Sequence, residues 1–164
     1  MTDRSPTVAQ PLDLQIAAGA ATDTGGRPTN EDAIHVAELA TLPPVGGGPV
    51  ERTLLLAVAD GMGGHAAGEV ASRLAIEALV AAVGNEPGPD AGQLFKQAFR
   101  RANDAIHQAA GAPTDGEGMG TTLVAALLRG KYATIASVGD SRAYLLRARG
   151  LTQITTDHTL AAEQ

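Results

Sequence analysis

Cysteine does not occur among the 164 residues, and neither does tryptophan. Without thiols there is no disulfide framework, no thiol nucleophile and no thiolate metal site. Aromatic residues make up only 2% of the chain against 44% hydrophobic residues, so a core has to be assembled from Ala, Val, Leu and Ile. No apolar run approaches the ~20 residues that span a bilayer. Residues 1–11 lack the basic start and apolar stretch of a secretory signal. Basic residues are also in short supply, 12 against 18 acidic ones, for a formal net charge of −6. A nucleic-acid surface calls for the opposite balance, and Arg142, Arg147 and Arg149 are too sparse to form one. The expected setting is cytoplasmic, with no nucleic-acid partner and no membrane span.

What is present falls into one domain. Polar, Pro-containing residues 1–12 read as a flexible leader, and 13–164 as the folded unit. Leu14 to Thr22 reads as a first strand and Ala33 to Leu39 as a second. The loop between them runs from Thr24 to Asn30, and another with Pro43-Pro44 and three glycines occupies 41–49. The apolar run Leu54–Ala59 ends at Asp60 and is short enough for a buried strand. Two helical patterns follow, Ala67–Val83 and Ala91–Ala109, separated by a break at Asn85–Pro89. The second carries Leu94, Phe95, Ala98, Phe99, Ala102 and Ile106 on one face. Strands resume at 121–128, 132–138 and 143–146, with a hairpin turn at Arg129-Gly130-Lys131. Strands, two helices, then strands favour an α+β layered domain over alternating βαβ units.

Four segments carry chemistry. Asp60-Gly61-Met62-Gly63-Gly64-His65 puts a carboxylate at a strand end, where glycines let the backbone approach an ion closely. A plain turn, with Asp60 capping the following helix, is the bland alternative. The string is not a phosphate-binding Gly-Lys-Ser/Thr loop. Arg27-Pro28-Thr29-Asn30-Glu31-Asp32 sets a guanidinium beside two carboxylates. Those oxygens suit a hard cation such as Mg²⁺ or Mn²⁺, and Arg can grip a phosphate with two bonds. Taken alone, the segment reads first as a surface turn with a local ion pair. Gly139-Asp140-Ser141-Arg142 and Thr155-Thr156-Asp157-His158-Thr159 can each be a turn, with Asp140 or Asp157 bonding its own backbone. His65 suits proton transfer at neutral pH, or orients its loop. His35, His107 and His158 have no comparable company.

Taken in order, these segments resemble the metal-dependent protein phosphatases of type 2C (the PPM family), especially the bacterial ones. Arg27 to Asp32 is similar to the family's Arg-x-x-Asn-Glu-Asp, and Asp60 to Ser72 to its Asp-Gly-Met-Gly-Gly-His with Gly-Glu-x-Ala-Ser. Gly118 to Thr122, Gly139 to Tyr144 and Leu151 to His158 match further family segments. The resemblance implies a layered α-β-β-α sandwich and hydrolysis of phosphoserine and phosphothreonine in proteins. It implies two Mn²⁺ or Mg²⁺ ions flanking the attacking water, with a third, weaker ion. Asp60 would bridge, the Gly61 carbonyl and Glu31 would bind, Asp32 would brace, and Asp140 would serve the third ion. Arg27 would clamp the substrate phosphate and His65 would sit beside the site as a catalytic candidate.

The family's later Ser-Asp-Gly strand end and Asp-Asn, each a metal carboxylate, have no counterpart in these residues. Asp115-Gly116 lies in the wrong order to replace them. The expectation is an incomplete C-terminal part, weak metal binding by these residues alone, and exposed sheet edges that favour self-association. The implied partners are phosphorylated proteins, substrates of a Ser/Thr kinase. The alternative is a shortened, non-catalytic phosphatase-like module that binds a phosphoprotein or partner without hydrolysing it.

Overall fold

Alternation of apolar residues sets the sheet, and small side chains set how closely helices lie on it. The computed structural model describes residues 15–39, 52–63, 67–85, 90–111 and 118–158. The expected leader, the 41–49 loop, residues 86–89 of the helix break and the Asp115-Gly116 pair lie outside those residues. Strands β1 (Asp32–Leu39), β2 (Thr53–Met62), β4 (Leu123–Arg129) and β5 (Tyr132–Val138) pair in that spatial order, all antiparallel. The two-residue β3 (Gly120–Thr121) pairs with the end of β2 and completes a five-stranded sheet. Beyond it β6 (Tyr144–Arg147) and β7 (Gly150–Gln153) form a separate two-stranded ribbon.

Helices α1 (Ala67–Asn85) and α2 (Ala91–Ala110) lie on one face of the sheet. Along β2, Leu55, Ala57 and Ala59 alternate inward, and Leu123, Ala125 and Leu127 do the same along β4. They meet Ala71, Ala75, Leu79, Ala82 and Val83 of α1 and Leu94, Phe95, Ala98 and Ala102 of α2. Alanine at so many of these positions lets the elements approach closely without aromatic bulk. Val70 and Leu74 of α1 are only half-buried, while Ala71, Ala75, Leu79 and Ala82 form its fully buried row. Asp90 starts α2 by accepting the backbone N–H groups of Gly92 and Gln93 at 2.9 and 3.1 Å, an N-cap that satisfies two otherwise unpaired donors. Gly111, at φ 67°, closes its C-terminus.

The α+β order, both helices and the Gly130-Lys131 hairpin agree with the sequence reading. Arg129 and Tyr132 pair across a two-residue turn in which Gly130 takes φ 53°. Three expectations are corrected. Residues 15–22 form no strand: Ala17-Ala18-Gly19-Ala20-Ala21 offers little β-propensity, and the segment runs exposed. β2 does not stop at Asp60 but continues to Met62, because Gly61 and Met62 find partners in Thr121 and Gly120. The strand expected over 121–128 is broken at Thr122, and β7 was not foreseen because Arg149-Gly150 gives only a weak turn signal.

Candidate active site

At one end of the sheet the register places Asp32 of β1 directly opposite Asp60 of β2. Both lie on the face away from the helices, as the inward alternation of Ala33 and Ala59 requires. The loop leading to Asp32 is tied by its own side chains. Asn30 Oδ1 accepts the Asp32 N–H at 3.0 Å, and Asn30 Nδ2 donates to Thr22 Oγ1 at 2.7 Å. A turn closed by Arg27 N–H to the Thr24 carbonyl, at 3.2 Å, delivers Arg27 to the same end. Gly61 N–H donates to the Glu31 carbonyl at 3.1 Å, so Glu31 and Gly61 are adjacent main-chain neighbours.

Partial burial raises the Asp60 carboxyl above the ordinary carboxylate range. The charge of Asp32 pushes the same way, Arg27 pulls against it, and Asp140 adds a further upward push. Asp32, Arg27 and Asp140 are therefore each within electrostatic reach of Asp60. Among the described residues, however, no three His, Asp or Glu side chains close into a ready-made ligand cluster. His65 and Gly64 lie outside the described residues.

The backbone around Asp60 is crowded by design of its glycines. A Cβ on Gly61 would stand 2.0 Å from the Gly68 carbonyl oxygen and 2.7 Å from that of Glu31. A Cβ on Gly68 would meet Glu31 Oε2 at 2.8 Å. The first turn of α1 thus rests against the Glu31 carboxylate, on the side where a helix N-terminus favours negative charge.

Thr122, which sequence reasoning passed over, joins this end of the sheet to the Asp140 turn. Its Oγ1 accepts the Asp60 N–H at 3.0 Å and lies 2.6 Å from Ser141 Oγ. Its own N–H donates to the Asp60 carbonyl at 2.9 Å, and Thr121 Oγ1 donates to the same oxygen at 2.9 Å. Gly139, at φ 90°, leaves room for Thr122: a Cβ there would lie 2.7 Å from Thr122 Cγ2. The one legible signal was the pair of hydroxyl residues following Gly118-Met119-Gly120.

The Asp157 segment is a brace. Arg142 Nε donates to both Asp157 oxygens at 3.0 Å and its Nη2 to Oδ2 at 2.5 Å. This fork holds Asp157 below its ordinary range and Arg142 above its own. Asp157 therefore bonds the Arg142 side chain, where a bond to its own backbone was expected. His158 N–H donates to the Gly139 carbonyl at 2.9 Å, fixing the ribbon to the turn that carries Asp140.

A family model described as "Protein phosphatase 2C" matches residues 19–164. The serine/threonine protein phosphatase PstP of Mycobacterium tuberculosis (strain ATCC 25618 / H37Rv) is 53% identical over 105 residues, covering 64% of this chain and 20% of that protein. The serine/threonine phosphatase stp of Listeria monocytogenes serovar 1/2a is 41% identical over 113 residues, covering 66% of this chain and 45% of that protein. The chain thus spans less than half the length of these curated relatives. Among solved structures, the catalytic domain of PstP in complex with two manganese ions superposes with a TM-score of 0.65 at 44% identity, over 84% of this chain and 53% of that one. A bacterial serine phosphatase does so with a TM-score of 0.70 at 35% identity, over 87% and 56%. The fold, the matched span and the ordered acid segments together identify this chain as a member of the protein phosphatase 2C family.

Proposed function

We propose that this chain supplies part of the active site of a metal-dependent phosphatase acting on phosphoserine and phosphothreonine in proteins. The observation that carries this reading is the cross-strand pair Asp32–Asp60, with Arg27 and Asp140 in electrostatic reach. Family membership and the manganese-bound PstP structure support it.

The donor chemistry fits a hard divalent cation: the carboxylates of Asp32 and Asp60 stand on paired positions beside Gly61, with no thiolate in the chain. The raised Asp60 carboxyl also fits, since two acids facing each other and a third nearby gain from a cation between them. Asp60 would bridge two Mn²⁺ or Mg²⁺ ions, with the Gly61 carbonyl and Glu31 as further ligands. Asp32 would brace the set, and Asp140 would hold a third, weaker ion. When bound, such ions lower the pKa of water and neutralise charge on a phosphoryl group.

The chain's own residues do the rest. Arg27, on its tied turn, would grip the phosphate oxygens through paired N–H donors and orient the ester. Thr122 and Asn30 hold the Asp60 and Asp32 backbones in register, so the two carboxylates keep their spacing. His65 would protonate the departing Ser or Thr oxygen. Phosphoproteins made by a Ser/Thr kinase are the substrates in this reading, and the cytoplasm is where the two would meet. Among the described residues no helix is long and apolar enough to cross a membrane.

Hydrolysis of a phosphothreonine peptide by the full-length protein tests the proposal. Turnover should require Mn²⁺ or Mg²⁺ and vanish in EDTA; undiminished turnover in excess EDTA would overturn it.

A further inference from the structure

On the far side of the sheet from β1, β5 is an edge strand: among the described strands it pairs only with β4. An edge strand presents a row of N–H and C=O groups that pair with another chain unless covered. Helix α2 passes beside this edge without closing over it. A cavity of about 380 Å³ lies between them, and a second of about 300 Å³ continues under α2 against Thr121, Leu123 and the Val138 end of β5. Phe99 and Arg100 line both, so the two form one groove along the edge. Lys96 and Ala136 border its lower part, Val138 and Asp104 its upper part. Tyr132 and Val138, at the two ends of β5, are 67% and 46% exposed.

The charge of this groove runs against that of the chain. The protein carries −6, yet Lys96 and Arg100 stand over the groove with no ion pair among the described residues. Lys131 adds a third cation at the turn, its Nζ 5.4 Å from the Tyr132 ring centroid. Asp104 is the single acid facing them among the lining residues.

We propose that the β5 edge binds an extended, acidic peptide segment as an added strand. Main-chain bonds to the edge would supply affinity, and side chains at every second position would supply selectivity. Acidic residues on the helix side meet Lys96 and Arg100. On the opposite side Ile135, placed by its pairing with Ala126, offers an apolar neighbour. The groove ends at Val138, one residue before Gly139 and two before Asp140. A segment lying in it therefore leads toward the sheet end that holds Asp60. Resting on the phosphatase reading, this makes the bound segment the sequence flanking the phosphorylated residue.

Fluorescence anisotropy with a labelled, unphosphorylated peptide of alternating Val and Glu tests the groove on its own. Binding should weaken with salt and fall about tenfold in Lys96→Glu/Arg100→Glu. Amide hydrogen exchange should slow across 132–138 on binding, and N-methylation of alternate peptide nitrogens should abolish the complex. Arg100→Gln, a milder change, should show a smaller loss in the same direction if the double variant does not fold. No binding, binding indifferent to the charge reversal, unchanged exchange at 132–138, or a homodimer sealed through this edge would each overturn the proposal. Para-nitrophenyl phosphate turnover by the full-length protein, which needs no flanking sequence, should be equal in parent and double variant. Absence of that turnover in the full-length parent would sink the phosphatase reading while leaving the peptide measurement intact.

Discussion

The two faces of the sheet use the same strands for opposite ends. On the helix side Leu55 and Ala59 are fully buried, whereas on the other side Val58 is 42% and Val36 39% exposed. Neighbouring residues on β2 thus belong to different environments, because successive side chains point to opposite faces. The covered face holds the apolar mass that stabilises the fold. The open face carries Asp32 and Asp60 at its end, where both carboxylates stay exposed, as the proposed metal site requires. The lesson is a division of labour at single-residue spacing: a shift of register by one would bury both acids and expose the core.

The largest expected effect lies on the open face. Asp60→Asn should lower phosphothreonine turnover of the full-length protein by more than roughly a hundredfold, beyond what loss of an outer-shell metal partner costs. Activity close to the parent's would remove Asp60 from the site. The covered face should respond in stability. Leu55→Ala should cost about 2–5 kcal/mol in denaturant unfolding, whereas Val58→Ala, three positions along, should cost less than about 1 kcal/mol. Equal losses would erase the contrast between the faces.

The smallest effect concerns pH. In the folded, metal-free chain the Asp60 carboxyl binds its proton more tightly than the ordinary value of 3.8. Between that value and the raised one the folded state holds more protons than the unfolded state, so stability falls as pH rises through this window. Asp60→Asn abolishes the fall. Thermal melts without metal should show the variant gaining on its parent at pH 7 and matching it at pH 3. A difference that does not change with pH would contradict the origin assigned to the shift.

Much of the fold was legible because its signals are local. The stripe of Leu94, Phe95, Ala98 and Ala102 needs only helical spacing, and Gly130-Lys131 needs only a turn between apolar runs. The acid segments were legible as strings, since Asp60 and Glu31-Asp32 sit beside their own glycines and Asn30. What escaped depends on partners distant in sequence. β2 outruns Asp60 because β3 lies some sixty residues later, and Thr122 matters through contacts with Asp60 and Ser141. Asp157 looked like a turn former because its partner Arg142 stands across the ribbon. Residues 15–22 misled in the other direction: an apolar composition suggested a strand, but alanine and glycine supply too little side chain to hold one.

The contact among Gly61, Gly68 and Glu31 restricts how this sequence can vary. A side chain at 61 collides with main-chain oxygens at 68 and 31, which no change of residue type there can move aside. A side chain at 68 meets the carboxylate of Glu31 at 2.8 Å and the Gly61 main chain at 3.0 Å, so shortening the acid relieves only one of the two contacts. Positions 61 and 68, seven apart in the chain and on different elements, are therefore locked to a distant third. Random mutagenesis scored by metal affinity should find all three intolerant singly, and pairwise exchange should not restore what a single change removes. Within this part of the chain, substitutions are not independent draws but moves on a shared and nearly closed space.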